Sequence, residues 1–147
     1  MKIAIIGAGN IGGAIASGLM QSETANNYSV TISDPDSTKT KQLSKQYSNI
    51  SAETDNQKAI SDAEIVILAV KPWLVERVLT SISFKPSQIL ASVAAGITFE
   101  QLKSYCNTEL AMFRIIPNTA ISLRASMNII SSCNATKEQE SLIMDIF

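Results

Sequence analysis

The sequence predicts an α/β fold: a doubly wound, mostly parallel sheet with helices on both faces. Three observations carry that prediction. The chain opens on an apolar, β-branched run, Lys2-Ile3-Ala4-Ile5-Ile6, that breaks into Gly7-Ala8-Gly9-Asn10-Ile11-Gly12 and continues with Ile11, Ala14, Ile15 and Leu19 on one helical face. A second run, Ile65-Val66-Ile67-Leu68-Ala69-Val70, is apolar throughout, as a strand buried on both faces must be. Strand-like and helix-like stretches then alternate along the 147 residues, the order that builds a parallel sheet with crossover helices. The length is that of one domain, residues 1–147.

The first stretch also points to chemistry. In a strand–turn–helix unit, Gly7 permits a tight turn, Gly9 lets the backbone approach a pyrophosphate, and Gly12 allows close packing of helix on strand. The helix that follows turns its free N–H groups and the positive end of its dipole toward the loop. This reads as a dinucleotide-binding arrangement of Rossmann type, against the alternative of a glycine-rich strand-to-helix turn that holds no ligand. The second strand, Tyr28 to Ile32, ends at Ser33-Asp34-Pro35-Asp36. Asp34 stands 34 − 12 = 22 positions after Gly12, where an acid accepts the adenosine ribose hydroxyls and favours NADH. Lys39 and Lys41 lie within reach of a 2′-phosphate, so NADPH stays open. Asp36 with Ser37 also reads as a helix N-cap.

Composition narrows the rest. With 46% hydrophobic and 17% charged residues and a net charge of −1, the chain is globular and lacks the basic excess of a nucleic-acid binder. No apolar run reaches membrane-spanning length, and the start is a strand rather than a leader. Cys106 and Cys133 have no metal-ligand spacing and read as free, buried or partly buried thiols of a reducing cytoplasm. Histidine is absent, which excludes Ser-His-Asp and Cys-His machinery and His-based zinc sites. No residue is assigned as catalytic or metal-ligating, and cofactor chemistry is the route that remains.

The other elements follow in order. A helix is expected over Lys39–Tyr47, a third strand around Asn49–Ser51 and a short helix over Asn56–Ile60. The strand Ala63–Val70 runs into Lys71-Pro72, with Pro72 in the first turn of a helix carrying Leu74, Val75, Val78 and Leu79. Trp73 at that helix start reads as packing. Gln88–Val93 is the fifth strand, and Thr98 caps a helix over Phe99–Tyr105. Leu110–Ile116 is the sixth, with Arg114 expected near a sheet edge or paired with a carboxylate. Met127–Ser131 is a last short strand. Thr136 and Gln139 fit a capping box opening a helix with Leu142, Ile143, Ile146 and Phe147 on one side. That helix shows no Gly, Asn or Pro stop signal, and more sequence is expected after Phe147.

Five signatures now stand in order: the glycine turn, Asn56, Leu68-Ala69-Val70-Lys71-Pro72, Ser92 to Thr98, and Arg114-Ile115-Ile116-Pro117-Asn118-Thr119. Together they resemble the amino-terminal domain of pyrroline-5-carboxylate reductase, over nearly the whole chain. The resemblance implies an enzyme that passes hydride from NADPH or NADH to Δ1-pyrroline-5-carboxylate, a small-molecule substrate, giving L-proline in the last step of proline biosynthesis. It implies that Gly7, Ala8, Gly9, Asn10, Ile11 and Gly12 hold the pyrophosphate, and that Ser33, Asp34 and Asp36 surround the adenosine ribose. Asn56 would contact the adenosine half, and Ala69, Val70, Lys71 and Pro72 the groove beside the pyrophosphate and nicotinamide ribose. Ala94, Ala95 and Gly96 would approach the nicotinamide, with Asn118 and Thr119 closing that end. It further implies a homo-oligomeric, cytoplasmic enzyme whose helical dimerisation and substrate domain lies outside these residues, leaving this portion alone inactive. The chain departs from the family at Ala120, where Pro is common, and at Arg124-Ala125, where Glu-Gly is usual. The alternatives are a stand-alone dinucleotide module without catalysis, or the cofactor domain of a β-hydroxyacid dehydrogenase or F420-dependent NADP reductase.

Overall fold

The computed structural model describes all 147 residues. Seven strands form one sheet in the order β3-β2-β1-β4-β5-β6-β7, with β1 Lys2–Ile6, β2 Ser29–Ser33, β3 Ile50–Glu53, β4 Ile65–Leu68, β5 Ile89–Ser92, β6 Ala111–Ile116 and β7 Ile129–Cys133. All neighbours are parallel except β6 and β7, whose register runs from Ile116 opposite Ile129 to Met112 opposite Cys133. The doubly wound sheet is therefore the one the sequence predicts, closed at one side by an antiparallel strand.

Strand alternation divides the core. From β1, Ile3 and Ile5 point to one face and Ala4 and Ile6 to the other, all at most 1% exposed, as the period of two requires. The first face is covered by α1 (Asn10–Met20) through Ile15, Ala16 and Leu19, and by α6 (Lys137–Ile146) through Ile143. The second is covered by α3 (Asn56–Ile60), α4 (Val75–Thr80) and α5 (Phe99–Tyr105), through Ile60, Val75, Leu79 and Leu102. Each fully buried aliphatic side chain contributes about 1.5–3 kcal/mol, so three buried residues hold α1 against the sheet despite its weak propensity.

The helix starts are mostly built from side chains. Asp36 caps α2 (Ser37–Gln46), Asp55 caps α3, and Thr98 and Thr136 form reciprocal capping boxes with Gln101 and Gln139. The Thr38 amide and hydroxyl bonds, with Lys39 beside them, hold the Asp36 carboxyl below the usual carboxylate range. Cap chemistry explains why α2 begins two residues earlier than the hydrophobic pattern suggests.

Several expectations need correction. Strand β7 lies two residues later than expected, because its register follows β6 and its own pattern is not amphipathic. Pro72 opens a short 3₁₀ turn over Pro72–Leu74 before α4 begins. Trp73 on that turn is 76% exposed and packs against nothing in the core. Arg114 lies near the sheet edge as expected, on the penultimate strand, but makes no ion pair. Its guanidinium lies over the Phe99 ring, 5.5 Å from the centroid, a cation–π contact that offsets the cost of half-burying the charge. Cys106 and Cys133 are free and half-buried.

Candidate functional site

At the carboxyl ends of β1, β2, β4 and β5 the sheet opens into a cleft of about 760 Å³. It lies where the chain order reverses, since β2 and β3 lie on one side of β1 and β4 on the other. Open α/β sheets bind their ligands at this crevice.

The glycine turn forms one wall. Gly7 holds φ at +103°, and a side chain there would stand 2.6 Å from the Ala69 carbonyl oxygen. The turn donates the Gly7 N–H to the Ser33 carbonyl at 2.7 Å, tying β1 to the end of β2. A side chain on Gly12 would collide with the Gly7 carbonyl oxygen, so helix and turn pack backbone on backbone. A side chain on Gly9, which lines the cleft, would meet nothing within 4 Å.

Helix α1 differs from its capped neighbours. Gly9 occupies its N-cap without a side-chain bond, and its first turn carries no acid. Its leading N–H groups lack side-chain acceptors, and the dipole favours an anion beside them. The charges agree: Lys39, Lys71 and Arg77 line the cleft against the single carboxylate of Asp34. Lys71 and Arg77 form no ion pair, and Lys39 sits 3.7 Å from Asp36 at the surface. A chain with net charge −1 thus concentrates positive charge in its largest cleft, which suits a phosphorylated ligand.

The structure brings most of the expected residues together here. Gly7, Gly9, Asn10 and Ile11 come from the turn, Ser33 and Asp34 from the end of β2, and Asn56 from α3. Ala69, Val70, Lys71 and Pro72 come from the end of β4, and Ala94 and Ala95 follow β5. The Ser33 hydroxyl donates to Asn56 Oδ1 at 2.7 Å, which leaves the Asn56 amide group to donate elsewhere.

Six expected residues do not line this cleft. Ala8 and Gly12 are buried inside the turn. Asp36 spends a carboxylate oxygen on the Thr38 N–H at 3.0 Å as the α2 cap. Gly96 is exposed, at φ +75°, just past the lining residues Ala94 and Ala95. Asn118 caps the 3₁₀ turn over Thr119–Leu123, accepting the Ala120 N–H at 2.9 Å, and Thr119 borders a separate shallow depression with Asn10 and Lys39. Conversely, Leu74, Arg77, Val78 and Ser81 were missed. Their spacing of three, four and seven, from the residue before α4 to the one after it, was the available signal, because it makes one helical stripe.

A family model described as NADP oxidoreductase, coenzyme F420-dependent, matches residues 2–96, well over half of the sequence. The chain belongs to this family. Within the F420-dependent NADP oxidoreductase family it is similar to pyrroline-5-carboxylate reductases. It is 31% identical to that of Escherichia coli (strain K12) over 149 residues, covering 99% of this chain and 55% of the relative. Against that of Vibrio alginolyticus the identity is 35% over 133 residues, covering 86% and 47%. The fold superposes on 1-pyrroline-5-carboxylate reductase from Streptococcus pyogenes with a TM-score of 0.86 at 30% identity, covering 99% of this chain and 54% of the other. The chain spans about half the length of the curated relatives it matches. The match to the Escherichia coli relative runs well past residue 96, where the family model stops, and so takes in β6 and Pro117-Asn118-Thr119.

Proposed function

We propose that residues 1–147 are the cofactor-binding part of a pyrroline-5-carboxylate reductase, a cytoplasmic homo-oligomer that takes NADPH or NADH. The observation that carries this reading is the uncapped start of α1 opening on a cleft with three cations and one acid. A cleft of this size suits an extended dinucleotide. The residues present fit it. The N–H groups of Asn10 and Ile11 would hold the pyrophosphate, Lys71 would offset its charge, and the Asn56 amide would meet the adenosine half. Ala69 and Val70 would flank the nicotinamide ribose, while Ala94 and Ala95 leave room for a flat ring against the backbone.

A reduced nicotinamide held by these residues would supply hydride to the C=N carbon of N-protonated Δ1-pyrroline-5-carboxylate, giving L-proline. An iminium is already electrophilic, so the protein's task is positioning two rings and excluding water. That fits a sequence with no histidine. The relatives' remaining length suits a separate helical dimerisation domain that holds the substrate carboxylate, so these 147 residues alone would bind cofactor without turnover.

Calorimetric titration of the purified chain with NADPH and with NADH tests the reading. Saturable binding of either, together with no proline formed from Δ1-pyrroline-5-carboxylate, is expected. Absence of binding by both at millimolar concentration would sink the cofactor assignment. Proline turnover by these residues alone would overturn the division of labour.

A further inference from the structure

The Asp34 carboxylate lines the cleft, yet the protein itself engages both of its oxygens. One accepts the Ala8 N–H at 2.8 Å and the other the Asp36 N–H at 2.9 Å. These donors belong to different segments, Ala8 to the glycine turn and Asp36 to the start of α2. One residue earlier in each segment, the Gly7 N–H bond to the Ser33 carbonyl joins the glycine turn to the end of β2. We infer that Asp34 is a positioning residue for the glycine turn, and that discrimination between NADPH and NADH does not run through it. This rests on the dinucleotide reading above.

Ala8 is only 7% exposed, so water is a poor substitute acceptor for its amide, and a buried N–H without a partner is costly. A carboxylate makes the stronger, charge-assisted bond. It sets Ala8, and with it the direction in which the next residues, Gly9 to Ile11, present their backbone. An acid reading ribose hydroxyls would be set by the ligand, whereas this one is set by two backbone amides before any ligand arrives. Other polar groups that line the cleft include the Ser33 hydroxyl, the Asn56 amide, Lys39 and Arg77.

The two roles predict different outcomes on Asp34→Ala. A positioning residue, when removed, weakens NADPH and NADH alike, by about tenfold, and leaves their affinity ratio unchanged. A ribose-reading acid repels a 2′-phosphate, so its loss moves the ratio toward NADPH by about tenfold or more. Hydrogen exchange supplies a readout that does not depend on ligand. Asp34→Ala is expected to release the Ala8 amide while the β1 and β4 amides stay protected, and Asp34→Asn, which retains one carbonyl acceptor, to restore part of that protection. A shifted ratio, or an Ala8 amide as protected as before, would overturn the inference. Failure of the unmodified chain to bind either cofactor would instead fall on the proposed function, and the exchange result would still decide the role of Asp34. Should Asp34→Ala not fold, the ratio and the Ala8 exchange measured on Asp34→Asn separate the two roles in the same way.

Discussion

Lys71 sits at the end of β4 with its ammonium exposed and unpaired. Its contribution to stability is therefore small, and its contribution to an anionic ligand is what remains. Lys71→Ala is expected to weaken dinucleotide binding about fivefold with the melting temperature unchanged; unaltered affinity in a calorimetric titration would remove Lys71 from the cofactor site. Gln88 is the opposite case. It is 2% exposed, and its amide nitrogen donates to the Ile60 and Ala63 carbonyls at 2.6 and 2.9 Å while its oxygen accepts the Lys85 N–H at 2.8 Å. One side chain thus satisfies three backbone groups between α3 and β5. Gln88→Leu keeps the volume and strands those groups, so denaturant unfolding should show a loss of about 3 kcal/mol.

Besides Gly12, helix α1 carries Gly13 and Gly18, and their surroundings decide their worth. Glycine inside a helix costs about 1 kcal/mol relative to alanine. At Gly13 an added methyl group would find ordinary contact at 4.0 Å with the Ala8 oxygen and Leu43, so Gly13→Ala should stabilise by up to about 1 kcal/mol. At Gly18 the same methyl group would meet the Ile121 carbonyl oxygen, a backbone atom on the Thr119–Leu123 turn that cannot swing aside. Overpacking of this kind costs about 1–3 kcal/mol, which outweighs the propensity gain. Gly18→Ala should therefore lower the unfolding midpoint while Gly13→Ala raises it. Equal signs for the two would mean that α1 and the turn are not in this contact.

For the whole molecule, what could be read from the sequence was what neighbours in the chain determine. Ile3 to Gly12 announced strand, turn and helix because each step depends on residues within a few positions. Thr98 with Gln101, and Thr136 with Gln139, marked helix starts for the same reason. The bond from Asp34 to Ala8 spans 26 residues, and no local pattern encodes it. Arg77 and Ser81 share a helical stripe that the sequence shows, but that this stripe borders the cleft follows only from where α4 lies on the sheet. The β7 boundaries were misplaced because an edge strand takes its register from its partner. Partial burial of both cysteines was legible in the sequence, and its effect on the Cys106 thiol was not. Burial raises the Cys106 thiol to about 11, above its ordinary value, so the folded state holds that proton more tightly than the unfolded one. The resulting stability is present below about pH 9 and is lost as pH rises through the folded value. Alkylation of Cys106 at mildly alkaline pH is expected to be much slower in the folded chain than in denaturant; equal rates would show the thiol to be solvated.

Trp73, exposed on its turn beside cleft-lining Pro72, is the only tryptophan in the chain. Its indole therefore emits as a hydrated fluorophore at the rim of the proposed site, and reduced nicotinamide absorbs in that emission band. A dinucleotide in the cleft should dim the indole and light up the nicotinamide, an optical reporter that needs no label. Because Trp73 packs against so little, Trp73→Phe should erase that signal and leave the fold unchanged.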